Sequence, residues 1–207
     1  VTGGMGTRSA VRTTIDDPLA YHSHVMLTGK ALNRHYAQLT ELMSDTLHTA
    51  DFTETKRLRD LVAQVRSSME HRITGAGHSL AMSAATQALS PVAQWNFQRS
   101  GLAGIQSIKQ LDQSLDDDAK LDQFASHLNQ IRQKLLDAPK QALVVADDMG
   151  YEQACTAAHR LLSETQGSAP TRLKLNETAA AEDQAWMTST QVNFCAQAYP
   201  AVLSGHP

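Results

Sequence analysis

Aromatic residues make up only 5% of this sequence, and there are just two cysteines, Cys155 and Cys195. Two thiols cannot build a disulfide framework, and these two form no CxxC pair. They read as ordinary thiols of the kind that behave as small buried hydrophobes. A bond between them would require Cα atoms within about 7 Å. Long hydrophobic runs are missing too. No apolar stretch approaches the roughly 20 residues of a membrane-crossing helix. The opening residues Val1-Thr2-Gly3-Gly4-Met5-Gly6 show neither an initiator Met nor the apolar core of a signal peptide. A basic stripe with interleaved aromatics is also lacking, and the formal net charge is -3. Neither nucleic acid nor an anionic membrane is therefore expected as a partner, and a soluble, cytoplasmic chain is expected. The last residues, Ser204-Gly205-His206-Pro207, are turn-like with no helix completed after them. Both ends read as cut from a longer chain.

What is present is globular material. Hydrophobic residues reach 42% and charged residues 19% over 207 positions, enough to bury a core. Val11, Thr13 and Ile15 share one face of a strand expected near Ser9–Ile15, after the glycine cluster. Asp16-Asp17-Pro18 signals a turn. A second strand follows over His22–Lys30, within a run that opens at Tyr21. Leu32, Tyr36, Leu39, Leu42, Met43 and Leu47 then recur at helical spacing. A second helix opens after Thr53 with Leu58, Leu61, Val62, Val65 and Met69 inward. Gly75 and Gly77 predict its break, because each glycine costs a helix interior about 1 kcal/mol relative to alanine. The alanine-rich stretch from Leu80 to Leu89, together with Gly77, predicts close approach of another backbone element.

Ser90-Pro91 has the form of an N-cap followed by proline at the first helical position. The next stripe is Leu102, Ile105, Ile108, Leu111 and Leu115. Asp116-Asp117-Asp118 opens a further helix, its charges facing the positive end of the macrodipole, and Ala138-Pro139 closes it. Ala142-Leu143-Val144-Val145, between turn signals, predicts a buried strand over Ala142–Asp147. Tyr151 to Glu164 predicts a last helix. Residues 167–185 read as a polar linker, and Trp186 to Tyr199 as a strand leading into a following unit. The expected fold is α+β and helix-rich: a mostly antiparallel sheet covered by helices on one side. The domain reading is a unit at 1–166, the linker at 167–185, and the first strand of another unit at 186–207.

The motifs that could carry chemistry are each incomplete. His22 and His24 lie on one face of a strand, yet no Cys, Asp or Glu nearby in sequence brings them to the three or four ligands zinc needs. Glu70-His71 and His78 match neither H-E-x-x-H nor H-x-x-E-H. The three aspartates from Asp116 lack the spacing and closing Glu of a calcium loop. Gly3, Gly4 and Gly6 are followed by no Gly-Lys-Ser/Thr. Ser79 and Ser90 sit in no nucleophile elbow, and Trp95 and Phe97 read as packing residues. No catalytic, cofactor-binding or metal residue is assigned.

Periodicity ends there, but particular residues go further. Leu27-Thr28-Gly29-Lys30-Ala31-Leu32 leads into a helix, and Asp51-Phe52-Thr53 precedes Arg57-Leu58. Gly77-His78-Ser79-Leu80-Ala81 is followed by Ala84-Ala85, Leu89-Ser90-Pro91 and Ser100-Gly101-Leu102. This succession, with Thr2-Gly3-Gly4 ahead of the first strand, resembles the middle region of presequence-protease-type peptidases in the pitrilysin/insulinase superfamily of zinc proteases. The likeness covers nearly the whole chain, is strongest from Gly29 to Gly101 and is loose after Pro139.

The resemblance implies a parent of four related α+β units closed around a chamber. The zinc motif lies in the first unit, and substrate-contacting Arg and Tyr lie in the last. This chain would correspond to the third unit and the lead into the fourth. It would hold no cofactor itself, the zinc being bound elsewhere in the parent. Its partners would be the remaining units and, through the chamber, an unstructured peptide. Two other readings are a free-standing helical interaction module and a small metal-binding protein using His22 and His24.

Overall fold

The computed structural model describes residues 2–17, 19–163, 167, 173–178, 180–188 and 191–201. Pro18, Glu164, residues 168–172 of the expected linker and the last six residues are among those that lie outside them. The described chain runs β1 (Thr2–Thr13), β2 (Tyr21–Ala31), a 3₁₀ turn at Asn33–His35, α1 (Tyr36–His48), α2 (Thr55–Gly75), α3 (Gly77–Thr86), α4 (Pro91–Ser100), α5 (Leu102–Ser114), α6 (Asp118–Asp137) and α7 (Tyr151–Ser163). It is helix-rich α+β, with one two-stranded antiparallel sheet, β1–β2. Two compact units are present: Val1–Ala10, Ser23–Thr53 and Phe124–Arg172 in the first, and Val11–His22, Glu54–Gln123 and Leu173–Pro207 in the second.

In the first unit, Gly6 lies beside Thr28, whose hydroxyl donates to the Gly6 carbonyl at 3.2 Å. The two strands are thus held in register. β2 then rests on α1 through a small residue: a Cβ on Gly29 would stand 2.7 Å from Leu39 Cδ1. Leu39 is the buried residue of α1, which packs on α7 and its buried Ala154.

The C-terminus of α1 would leave carbonyls unpaired. Arg132 of α6 answers them, donating to the His48 and Ala50 carbonyls at 3.1 and 2.8 Å. Lys140 does the same for α6, its ammonium 2.6 Å from the Leu136 carbonyl and 3.1 Å from that of Ala138. Partial burial lowers the Lys140 pKa, against the pull of Asp137. Asp51 accepts the Thr53 amide at 2.8 Å. That bond, helped by the Thr53 hydroxyl, holds the Asp51 carboxyl below its ordinary value.

The second unit begins with the hairpin turn. Asp17 accepts the Leu19 amide at 2.8 Å and its carbonyl accepts the Thr14 hydroxyl at 3.0 Å. The Thr14 amide meets the Ala20 carbonyl at 2.9 Å. The unit is otherwise helical, with α5 packed against both α2 and α4. Its buried apolar residues are those of the sequence stripes: Leu58 and Val62 of α2, Leu80 of α3, Val92 and Phe97 of α4, Ile105 of α5, then Leu115 and Leu121. An Arg66–Asp112 ion pair at 3.0 Å joins α2 to α5. Arg72 of α2 donates to the last α4 carbonyl, Ser100, at 3.1 Å.

Ser90 caps α4 as its spacing predicts, its hydroxyl accepting the Ala93 amide at 3.1 Å with Pro91 beginning the helix. Ser90→Ala is expected to lower stability by about 1 kcal/mol. The check is chemical denaturation followed by circular dichroism, and no change in midpoint would mean the cap is idle.

Four expectations need correction. The first strand begins at Thr2 and ends at Thr13, so the glycine cluster lies in the strand rather than ahead of it, and Ile15 lies in the turn beyond. The expected strand over Ala142–Asp147 is absent: these residues form no ladder, and Leu143 and Val145 are 90% and 88% exposed. A short apolar run becomes a strand only where a partner strand satisfies its backbone, and β1–β2 are paired with each other. The described residues of Trp186 to Tyr199 likewise form no strand. Gly77 is closely approached, but by the Phe194 ring rather than by backbone.

Candidate functional site

His22 and His24 sit exposed on β2, and Glu70-His71 and His78 lie on α2 and α3 with both imidazoles exposed. Among the described residues no three His, Cys, Asp or Glu side chains gather as a metal would require. The donor set for a zinc site is therefore not assembled by these residues, and no catalytic step is derived through one. The three aspartates serve a helix start. Asp116 pairs with Arg59, Asp117 accepts the Ala119 amide at 2.9 Å, and Asp118 is the first residue of α6. Gly3, Gly4 and Gly6 lie in β1. Ser79 is exposed on α3, Phe97 is buried in the core, and Cys155 and Cys195 are free thiols.

Two surface depressions occur. In the first unit one of about 510 Å³ is lined by Cys155, Thr156, His159, Arg160 and Ser163. All five belong to α7, so this is the outer face of one helix with no opposing wall to exclude water. Tyr151 shares a hydrogen bond with Cys155, which pushes the phenol pKa up, with Cys155's charge and slight burial adding to the shift. In the second unit a cleft of about 80 Å³ lies between α4 and the segment Lys174-Leu175-Asn176, lined on the helix side by Pro91, Gln94, Trp95 and Gln98. The Leu175 amide donates to the Tyr21 hydroxyl at 2.7 Å, so part of the expected linker is seated on its own unit.

Two constellations have no counterpart in the sequence motifs. One is a polar knot in the first unit. Asn33 donates to both carboxylate oxygens of Asp147 at 2.9 and 2.8 Å, Tyr36 donates to Asn33 at 2.8 Å, and the Gly150 amide donates to Asp147 at 2.8 Å. It ties the start of α1 to the start of α7. The Asp-x-x-Gly spacing just before a helix is the one local signal, but its partner lies 114 positions away.

The second is the lie of the C-terminal segment. Gln184 accepts both the Gln87 amide and the Trp186 indole N–H at 3.1 Å. Trp186 meets Phe97 edge-on, with ring centroids 6.0 Å apart at 73°, and Phe194 covers Gly77.

The succession of hairpin, long helices and glycine-broken turns through α5 coincides with a known family. Residues 1–111 match the family model for the peptidase-associated region of metallopeptidase family 16, subfamily C. The chain belongs to this peptidase-associated family. Two curated relatives agree with this. Presequence protease 1, chloroplastic/mitochondrial, of Arabidopsis thaliana is 32% identical over 139 residues, covering 65% of this chain and 12% of that protein. Presequence protease, mitochondrial, of Danio rerio is 26% identical over 115 residues, covering 56% of this chain and 11% of that protein.

This peptidase-associated chain is thus a presequence-protease-like segment of the pitrilysin family, and its matches span about one-eighth or less of each relative. No helix among the described residues is long and apolar enough to cross a membrane. A cytoplasmic compartment draws no support from the relatives, both of which are named for organelles.

Proposed function

We propose that this peptidase-associated chain is a non-catalytic structural segment of a zinc-dependent metalloendopeptidase, helping to enclose a chamber in which short unstructured peptides are cut. The observation that carries the reading is the family match over residues 1–111, with relatives named as presequence proteases. Two structural features support it. The sheet has only two strands, and an isolated pair of strands is marginally stable in water. Leu143, Val145 and Met149 are almost fully exposed. Both suit a wall whose remaining surfaces are covered by other units of a parent. The zinc, its activated water and the general base would belong to those units, and the partners of this chain would be those units and the enclosed peptide.

The test has two arms. The purified chain, loaded with zinc and dialysed, is expected to retain no stoichiometric metal and to leave a quenched unstructured peptide uncut. Chelator-sensitive turnover with one retained zinc per chain would overturn the non-catalytic reading. In the parent, deleting the segment is expected to abolish peptide cleavage, with partial recovery when the chain is supplied in trans. A deleted parent that cleaves peptides at the full rate and still spares folded proteins would overturn the enclosure role.

A further inference from the structure

The C-terminal segment of the second unit is held in an unusual way for an extended chain. Its described residues join no β-ladder, so the repeating main-chain bonds that fix a strand are missing. Two aromatic side chains hold it instead. Phe194 lies flat enough on Gly77 that a Cβ there would stand 2.6 Å from Cδ2 and closer still to Cε2. The contact therefore requires glycine at this position. The same ring lies 6.4 Å from that of His78, at 55°.

Eight residues earlier, Trp186 presents its ring to the edge of Phe97. Gln184 fixes the indole by accepting its N–H, and ties it to α3's end through Gln87. The helix side is prepared for this: Gly77 and Phe97 are both buried once the segment is in place. Beside these anchors the segment stands in solvent, with Met187 99% and Tyr199 69% exposed.

From this geometry we propose that the face formed by α3 and α4 is a docking site for an extended polypeptide bearing two aromatic side chains eight residues apart, and that residues 184–194 of this chain are its reversible occupant. The proposal does not depend on the peptidase reading. Both rings remain 41% exposed, so each anchor is partial. Aromatic pairs add only about 0.5–1.5 kcal/mol beyond the area they cover. The tether makes weak anchoring sufficient, since a short flexible connection gives an effective concentration of about 1 mM. A contact with a dissociation constant of about 0.1 mM in trans is then closed roughly nine-tenths of the time in cis, yet exchanges readily.

The experiment uses the full chain and a fluorescein-labelled peptide of residues 182–199. The labelled peptide is titrated by anisotropy with the wild-type chain and with the Trp186→Ala/Phe194→Ala double variant. The double variant is expected to bind saturably, with a dissociation constant of about 0.1 mM. The wild type should bind about tenfold more weakly, because its own segment competes at about 1 mM. A peptide with both aromatics replaced by alanine is expected not to bind either chain. Equal binding to the two chains, no binding to the double variant, or equal binding of the alanine peptide would overturn the proposal.

A second arm does not need the variant to fold. A protease recognition site replaces the exposed residues 180–183, and the folded chain is cut there. The segment is expected to separate on gel filtration at micromolar concentration while the helical signal persists. A segment that stays bound on dilution, or a chain that unfolds when cut, would overturn reversible docking.

Discussion

Leu115→Ala is expected to destabilise the second unit by about 3 kcal/mol, within the roughly 2–5 kcal/mol range of leucine truncations in well-packed cores. Leu115 is 1% exposed, the most deeply buried large side chain described. It ends α5, with its amide donating to the Leu111 and Asp112 carbonyls at 3.1 and 3.2 Å. The residues after it are the aspartates that begin α6. The backbone on both sides is thus fixed by hydrogen bonds, which limits how far the site can collapse around a missing isobutyl group. The cavity cost adds to the lost transfer free energy. Equilibrium denaturation by guanidinium is the measurement, with the helical signal as probe. A loss below about 1 kcal/mol would mean that the surroundings close over the gap.

Gly104→Ala is expected to lower stability by about 1–3 kcal/mol, against the usual sign. Within a helix, alanine is normally favoured over glycine by about 1 kcal/mol. Gly104 lies in the first turn of α5, where a Cβ would stand 2.5 Å from the Arg99 carbonyl carbon and oxygen, and 3.1 Å from the Gln98 oxygen. These are backbone atoms at the end of α4 and cannot rotate aside as a side chain would. Gly75, the last residue of α2, supplies the control, since a Cβ there meets nothing within 4 Å. Gly75→Ala is expected to stabilise by up to about 1 kcal/mol. Thermal unfolding of both variants should shift in opposite directions, and two shifts of the same sign would refute the packing at Gly104.

The contrast between helices and strands explains which elements are legible in the sequence. Each helix carries its own hydrogen bonds, so its stripe and caps are local: Leu58 and Val62 face inward as their spacing predicts, and Ser90 caps α4. The break between α4 and α5 at Ser100-Gly101 is harder to read from spacing, because the buried contact that needs glycine at Gly101 is with Phe97 of the preceding helix. A strand is not local. Ala142-Leu143-Val144-Val145 has the composition of a buried strand, but no pairing partner is supplied and the run is left in solvent.

Residue interactions with no periodic signal are the least legible. Asn33 and Asp147 meet across 114 positions, and Trp186 meets Phe97 with no pattern linking them. For the site, sequence motifs assign no metal or catalytic residue and place Trp95 and Phe97 as packing. They do not show that an aromatic from the C-terminal segment covers Gly77, since a glycine near a helix break looks the same whether a ring or water lies over it.

Anchoring by two rings rather than by a ladder also governs how this part of the chain can change over generations. A strand in a sheet is constrained at every second position, and adding or removing one residue turns all its side chains to the wrong face. A segment specified only at Trp186, Phe194 and the Gln184 that orients the indole leaves the positions between them under little selection. Substitutions there will accumulate neutrally among homologues, and the stretch before Gln184 will vary in length, while Gly77 and the two rings change together or not at all.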